Sequence, residues 1–478
     1  MVKYEKMFKD KKLYIFLLIV LLFFKTFSIM NYSVDTYLLL ASPKLKYVYE
    51  YLSACRIFTI VFFFIQGFFH IPNIVMYITS YLLAIIFSTL SIYELNKVLD
   101  KYISNKFLSA MISIAIIINP FIIELWLFIE SGIMMFSIFA CIKGFKNFDK
   151  YLETKNKSLI GKSFLWMIAA LFSYQGTIAL FACLCAISII KNSKSKKKFI
   201  KNNILMFIIY IVPTIINYIF ITMISRERVG ANHNLIKVIK MIIISTKEQL
   251  INCFGLLPNG FYPTMLLVTF VILIYYTIKN KRKRNYMLSL IYITLVTYLF
   301  TIAPVIPQNS DSLIMFPRTS YAFASLIPLL FIINNKNLNI KITSAVLIVL
   351  LSVELYSFTK IEINRYIVNY EDKQIIYQIE DKVKKYEEET GINVEYLSVY
   401  NQENSHMFYN DINDNINVSA KNEQPNSTAL YVYYSNRKVK EKEQNNNIYN
   451  LYFKNKHWQY FSLDQVVIVG NTIHWYIY

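Results

Sequence analysis

The sequence predicts a polytopic all-α membrane protein of about eleven transmembrane helices, followed by a small C-terminal extracytoplasmic α/β domain. Three observations predict it. Of 478 residues, 55% are hydrophobic and 17% charged, with a mean hydropathy of +0.39. A soluble fold of this length could not cover so much apolar surface. Apolar runs of about 15–22 residues recur along the chain, near the roughly 20 residues that a helix needs to cross a bilayer. The basic residues fall in short clusters between those runs, as they do in cytoplasmic loops. The net charge of +20 is spread over these clusters. It therefore speaks for anionic lipid head groups as partners and against nucleic acid.

The runs place spans near 12–30, 73–94, 107–122, 128–143, 160–173, 176–190, 203–222, 262–278, 286–304, 319–334 and 342–358. Lys3, Lys6, Lys9 and Lys11 precede the first and hold the N-terminus in the cytoplasm. Basic clusters at Lys97–Lys106, Lys143–Lys157, Lys191–Lys201, Lys279–Arg284 and Lys336–Lys341 each follow an even-numbered span. All of them can then lie on one side at once, which supports the count. The apolar stretch Arg56 to Phe69 would break that parity as a span, so it is read as a helix in the outer interface. The stretch 160–190 is too short for two ordinary spans and long for one. Parity asks for two short helices broken near Ser173-Tyr174-Gln175-Gly176, irregular backbone that is tolerated where it lines a cavity. The segment 234–255 reads as a further interfacial helix.

The chain divides into 1–358 and 359–478. In the second part charge and asparagine rise and no span remains. Ile375, Ile376, Ile379, Val383 and Tyr386 share a face of a helix over Glu371–Thr390, and Gly391 stops it. Val394–Tyr400, Ala429–Tyr434, Val466–Val469 and Ile473–Tyr478 read as strands, and 401–427 and 435–448 as asparagine-rich loops. The five cysteines, Cys55, Cys141, Cys183, Cys185 and Cys253, show neither a disulfide framework nor metal-ligand spacing. The first apolar run has no small-residue cleavage site and reads as an uncleaved anchor.

With this topology, polar residues converge on the outer face. Asp35 follows the first span. Glu50 and Arg56 share its loop. Glu124 and Glu130 flank the 119–130 turn, with Trp126 as an interface anchor. Tyr174 and Gln175 sit at the break. Arg226, Arg228, His233 and Lys247 lie in 223–261, and Asp311 and Arg318 in 306–318. Ionisable groups so close to hydrocarbon are costly, which makes them functional candidates. The set suits glycosyl transfer from a lipid phosphate. A guanidinium is a rigid fork of donors for the anionic leaving group, so Arg56 and Arg318 are the phosphate candidates. A sugar hydroxyl attacking the anomeric carbon needs a general base, and Asp35 is the candidate. Glu124, Tyr174 and Gln175 are candidates for contacts to donor or acceptor. No cofactor is expected, and metal dependence is left open.

The order NYSVDTY, SACRIFTIVFFF, NPFIIELWLF, SYQG and FPRTSYAF, with FSLDQVVIVGNTIHWYIY at the end, resembles the Gtr-type bacterial membrane glucosyltransferases, the glucosyltransferase II family. The resemblance implies a GT-C type fold with an outer-face active site. It implies transfer of glucose from a polyprenyl-phosphate sugar to a surface polysaccharide such as O-antigen or a teichoic-type polymer. It implies a catalytic carboxylate in the first outer loop, here Asp35. Many members carry a second acidic residue beside it, where this chain has Thr36. The expected location is the bacterial inner membrane, alongside a lipid-sugar synthase and a small flippase. The rival readings are a surface-polysaccharide polymerase and a lipid-sugar flippase, the latter expected to show internal repeats that this sequence lacks.

Overall fold

The computed structural model describes residues 14, 17, 18, 20, 21, 32, 34–41, 48–224, 234–279, 283–303, 317–333, 339–401 and 426–477. The chain is mostly helical with one small sheet. It forms two compact units. The first comprises Met1–Phe27, Tyr47–Ile71 and Val75–Phe358. The second comprises Ser28–Lys46, Pro72–Ile74 and Thr359–Tyr478.

In the first unit the helices are α2 (Val48–Ser53), α3 (Ile57–Phe68), α4 (Asn73–Leu99), α5 (Lys106–Ile117), α6 (Ile122–Trp126), α7 (Ser131–Thr154) and α8 (Ser158–Ser173). They continue as α9 (Ala179–Asn192), α10 (Lys196–Ile224), α11 (Leu235–Asn252), α12 (Phe261–Lys279), α13 (Lys283–Ile302), α14 (Tyr321–Ala324) and α15 (Leu326–Ile333). α1 (Val34–Ala41) belongs to the second unit, and α16 (Ile340–Thr390) begins in the first and ends in the second.

Among the described residues, five helical stretches are long and apolar enough to cross a bilayer: Asn73–Leu99, Gln175–Asn192, Lys196–Ile224, Phe261–Lys279 and Ile340–Thr390. α3, α5, α8 and the 286–302 part of α13 are apolar but shorter. The 12–30 run lies mostly outside the described residues.

α9 is the centre of the first unit, with every side chain from Ala179 to Ile189 buried. Around it, α10 turns Ile200, Ile204, Phe207, Ile215 and Ile219 outward, and α13 does the same with Leu288, Ile291, Leu295 and Leu299. A protein that is apolar both inside and outside is matched to hydrocarbon rather than to water. Close approach builds the helix pairs. A Cβ on Gly132 would sit 2.6 Å from the Ser80 carbonyl oxygen, so the start of α7 lies directly against α4. The lysine-rich ends of the helices are cross-linked by charge. Lys101 Nζ is 3.1 Å from Asp149 Oδ2, the buried Asp149 also accepts from Ser188 Oγ at 2.6 Å, and Lys146 Nζ is 2.5 Å from Glu94 Oε2.

In the second unit, β1 (Tyr396–Asn401), β2 (Lys440–Glu441), β3 (Val466–Val469) and β4 (Thr472–Ile477) form one sheet in the order β2-β1-β4-β3. β1 is parallel to both β2 and β4, and β3 is antiparallel to β4 with Val466 opposite Trp475. α17 (Asn426–Ser435) packs against α1: Tyr37 and Tyr434 share a hydroxyl hydrogen bond of 2.9 Å, and Tyr32 and Tyr433 one of 3.0 Å. Arg437 fastens the end of α17 to α16, with Nε 2.7 Å from Glu380 Oε1 and Nη2 2.8 Å from Glu387 Oε2.

Several sequence expectations need correction. Ala429–Tyr434 is helical, within α17, because its apolar side chains are buried against other helices rather than alternating across a sheet. The 319–334 span is broken into a 3₁₀ turn (Pro317–Thr319), α14 and α15. The 107–122 helix stops at Ile117. The helix expected over Glu371–Thr390 is continuous with the preceding apolar run. The 435–448 loop holds β2 and a short α18 (Asn446–Ile448). Trp126 is 1% exposed within the protein and is no interface anchor.

Candidate functional site

The site lies in the first unit, where four segments distant in sequence meet. The first is the turn before α3. Cys55 takes a left-handed conformation, φ 53°, and its N–H donates to the Leu52 carbonyl at 2.8 Å. This sharp turn lifts Arg56 to the head of α3. The second is the segment 119–130. It was expected as an outer turn, yet Asn119, Glu124 and Glu130 are all buried. Asn119 shapes it: its Oδ1 accepts from the Phe121 N–H at 2.9 Å, and its Nδ2 donates to Ser325 Oγ at 3.0 Å.

The third segment is the break between α8 and α9. Tyr174 is extended, φ −160° and ψ 118°, and a 3₁₀ turn follows over Gln175–Thr177. The interruption is held from α7, where Ser137 Oγ lies 2.9 Å from the Tyr174 carbonyl oxygen and 2.7 Å from Thr177 Oγ1. The break proposed from parity is therefore a defined turn, with the Tyr174 N–H and carbonyl both hydrogen-bonded within the protein. The fourth segment is the turn Pro317–Thr319. Gly176 lets it come close, since a Cβ there would lie 2.8 Å from the Arg318 carbonyl oxygen and 3.1 Å from Thr319 Cα.

Two arginine–glutamate pairs result, both near Tyr174. Arg56 Nη1 is 3.2 Å from Glu130 Oε1, and its guanidinium carbon lies 4.9 Å from the centre of the Tyr174 ring. Arg318 pairs with Glu124 through Nη1, and its backbone N–H donates to Glu124 Oε2 at 2.6 Å. The Arg318 guanidinium also lies over Phe128, 4.8 Å from the ring centre. Gln175 Nε2 donates to the Ala54 carbonyl at 2.6 Å, tying the break to the Arg56 turn. The carboxylates are more deeply buried than their partners: the Glu124 side chain is 1% exposed and Arg318 14%. The arginines thus present their remaining surface, and Arg56 Nε has no hydrogen-bond partner among the described residues. An ion pair taken out of water needs its leftover donors satisfied. The donor left over here is Arg56 Nε, which an anion can satisfy.

Arg56, Glu124, Tyr174, Gln175 and Arg318 are thus brought together. Asp35 lies on α1 of the second unit and its side chain is outside the described residues, as is that of Glu50. Arg226, Arg228, His233 and Asp311 also lie outside them, and Lys247 is exposed on α11. Two members, Phe128 and Asn119, were not singled out from sequence; Glu130 was, but not as the partner of Arg56. The NP dipeptide at Asn119-Pro120 was the available signal for a built turn. Among the described residues no group of three or more His, Cys, Asp or Glu side chains could hold a metal ion.

The chain matches no family model, no curated protein and no solved structure.

Proposed function

We propose that this chain is an integral membrane glycosyltransferase of GT-C type, with about eleven spans, that moves glucose or a similar hexose from a polyprenyl-phosphate sugar to a surface polysaccharide. The observation that carries the reading is the convergence of Arg56 and Arg318 beside Tyr174, with a buried donor of Arg56 unpartnered among the described residues. Two forked cations suit a phosphate leaving group, and their paired glutamates hold the forks in place. Support also comes from the position of the cluster. Glu130 directly precedes α7, whereas the Lys101–Asp149 network sits near its other end. The cluster therefore faces away from the lysine-rich loops, on the side assigned to the exterior by the positive-inside rule.

In this reading Arg56 and Arg318 bind the lipid phosphate and stabilise its charge as it leaves. Tyr174 and Gln175 line the sugar, with Glu124 positioning Arg318. The sequence assigns the role of general base, which accepts the proton of the attacking hydroxyl, to Asp35. The protein would work in the bacterial inner membrane, supplied by a lipid-sugar synthase and a flippase.

The test is transfer by the purified full-length protein in proteoliposomes containing polyprenyl-phosphate-glucose, with surface glycan as acceptor. Hexose addition by the wild type is expected, with Arg56→Ala, Arg318→Ala and Asp35→Asn each reducing it at least 100-fold at equal protein level. No hexose transfer by the wild type, together with unchanged glycan mass in a deletion strain, would refute the proposal. Full activity in Asp35→Asn would remove that residue from the mechanism.

A further inference from the structure

A second buried group in the first unit stands apart from this cluster. Glu354 lies on α16, within a stretch apolar enough to cross a bilayer. It occupies the buried stripe of that helix, in register with Leu347, Leu350, Phe358 and Ile361, whereas Leu355 and Tyr356 point outward. Its side chain belongs to a residue 1% exposed, and among the described residues neither carboxylate oxygen has a hydrogen-bond partner. No lysine or arginine among them lies within ion-pair distance. The titratable groups around it are Cys253 after α11, Tyr262 on α12 and Tyr321 on α14. None of the three supplies a positive charge, and the two tyrosine hydroxyls are already engaged. Tyr262 donates to the Phe323 carbonyl at 2.8 Å and Tyr321 to the Ile117 carbonyl at 2.5 Å.

An isolated carboxylate in such surroundings costs far more than the same group carrying a proton, which removes the charge at once. A sodium ion would need several oxygen ligands, and one carboxylate cannot provide them. We propose that Glu354 is a proton-binding site in the apolar interior of the first unit. The proton is taken from water and neutralises the carboxylate to a carboxylic acid, the form in which the side chain rests in the buried interior of the first unit. The proposal does not depend on the glycosyltransferase reading, and its test needs no sugar transfer.

The full-length protein in proteoliposomes is treated at neutral pH with dicyclohexylcarbodiimide, an apolar reagent. It adds to a protonated carboxyl group, first as an O-acylisourea and then as the stable N-acylurea. Peptide mass mapping is expected to show the adduct at Glu354, absent in Glu354→Gln. A water-soluble carbodiimide is expected to leave Glu354 unmodified. Infrared spectra are expected to contain a protonated-carboxyl C=O band that Glu354→Gln removes, while that variant unfolds at the same detergent fraction as the wild type. A missing apolar adduct, equal labelling by the water-soluble reagent, or no lost carbonyl band would overturn the proposal. So would a strongly destabilised glutamine variant, because that would mean an ionised and paired carboxylate.

Discussion

Gly176 tests whether the turn carrying Arg318 is built on contact with the break before α9. A methyl group at this position would lie 2.7 Å from Tyr174 Cε1, 2.8 Å from the Arg318 carbonyl oxygen and 3.1 Å from Thr319 Cα. Carbon atoms rest at about 3.5–4.0 Å, so the new methyl needs roughly another 0.8 Å from the ring and about 0.4 Å from Thr319. The ring can turn, but the other two neighbours are backbone. The Arg318 N–H is held to Glu124 at 2.6 Å, so displacing the turn also strains that charge-assisted bond. Overpacking of this kind costs about 1–3 kcal/mol, which sets the expectation for Gly176→Ala. Gly161, inside α8, has nothing within 4 Å of a built Cβ. Gly161→Ala should therefore stabilise, by up to about 1 kcal/mol, through helix propensity alone. The assay is SDS-titrated unfolding of the purified protein in mixed micelles, followed by tryptophan fluorescence. The two substitutions should move the midpoint in opposite directions. Equal shifts, or a Gly176→Ala midpoint at the wild-type value, would show that the Arg318 turn does not pack where the geometry puts it.

Other expectations follow from the same interactions. Glu124→Ala leaves the Arg318 guanidinium without its buried partner and should cost about 3–5 kcal/mol, whereas the double variant with Arg318→Ala should recover part of that loss. A double-mutant cycle in the same titration measures the coupling, and strictly additive losses would argue against the pair. Gly132→Ala places a methyl 2.6 Å from the Ser80 carbonyl oxygen and 2.8 Å from Leu83 Cβ. It should cost about 1–3 kcal/mol in that titration, and a neutral result would contradict the α4–α7 approach. In the second unit, burial pushes the His474 imidazole down to about 4, with Lys442 adding to the effect. The folded state therefore binds fewer protons than the unfolded one between about pH 6.5 and pH 4. The stabilisation is present above that window and lost on descending through it, by up to about 3 kcal/mol at 1.36 kcal/mol per pH unit. Hydrogen exchange of Thr472–Ile477, corrected for intrinsic rate, should quicken on acidification, and His474→Gln should flatten the response. An identical pH response in that variant would assign the effect elsewhere.

Local pattern accounts for much that was legible. The apolar runs at 203–222 and 262–278 are helices because any backbone in an apolar environment must satisfy its own hydrogen bonds. Val466–Val469 was bounded correctly as a strand because β-branched residues end there at Gly470-Asn471, a two-residue turn with Gly470 at φ 58°. The interruption near Tyr174 was visible because lysine clusters bounded a stretch of the wrong length. Where pattern failed, long-range packing had decided. The run Ala429–Tyr434 has strand-forming residues, yet its tyrosines bond to α1 and α16, and helical spacing puts them in reach. Arg56 and Arg318 could be named as candidates from sequence, but not their partners, since Glu130 and Glu124 are 74 and 194 residues away.

Residue chemistry and periodicity thus determined that this chain is helical, apolar on its outside and divided into an apolar part and a polar part, because these properties depend on neighbours within a few turns. The tertiary structure alone decided which charges meet. It put a glutamate against each arginine, closed the Arg318 turn over Gly176, and left Glu354 among apolar and hydroxyl neighbours. Such pairings depend on distances between segments far apart in the chain, and no local pattern encodes those distances.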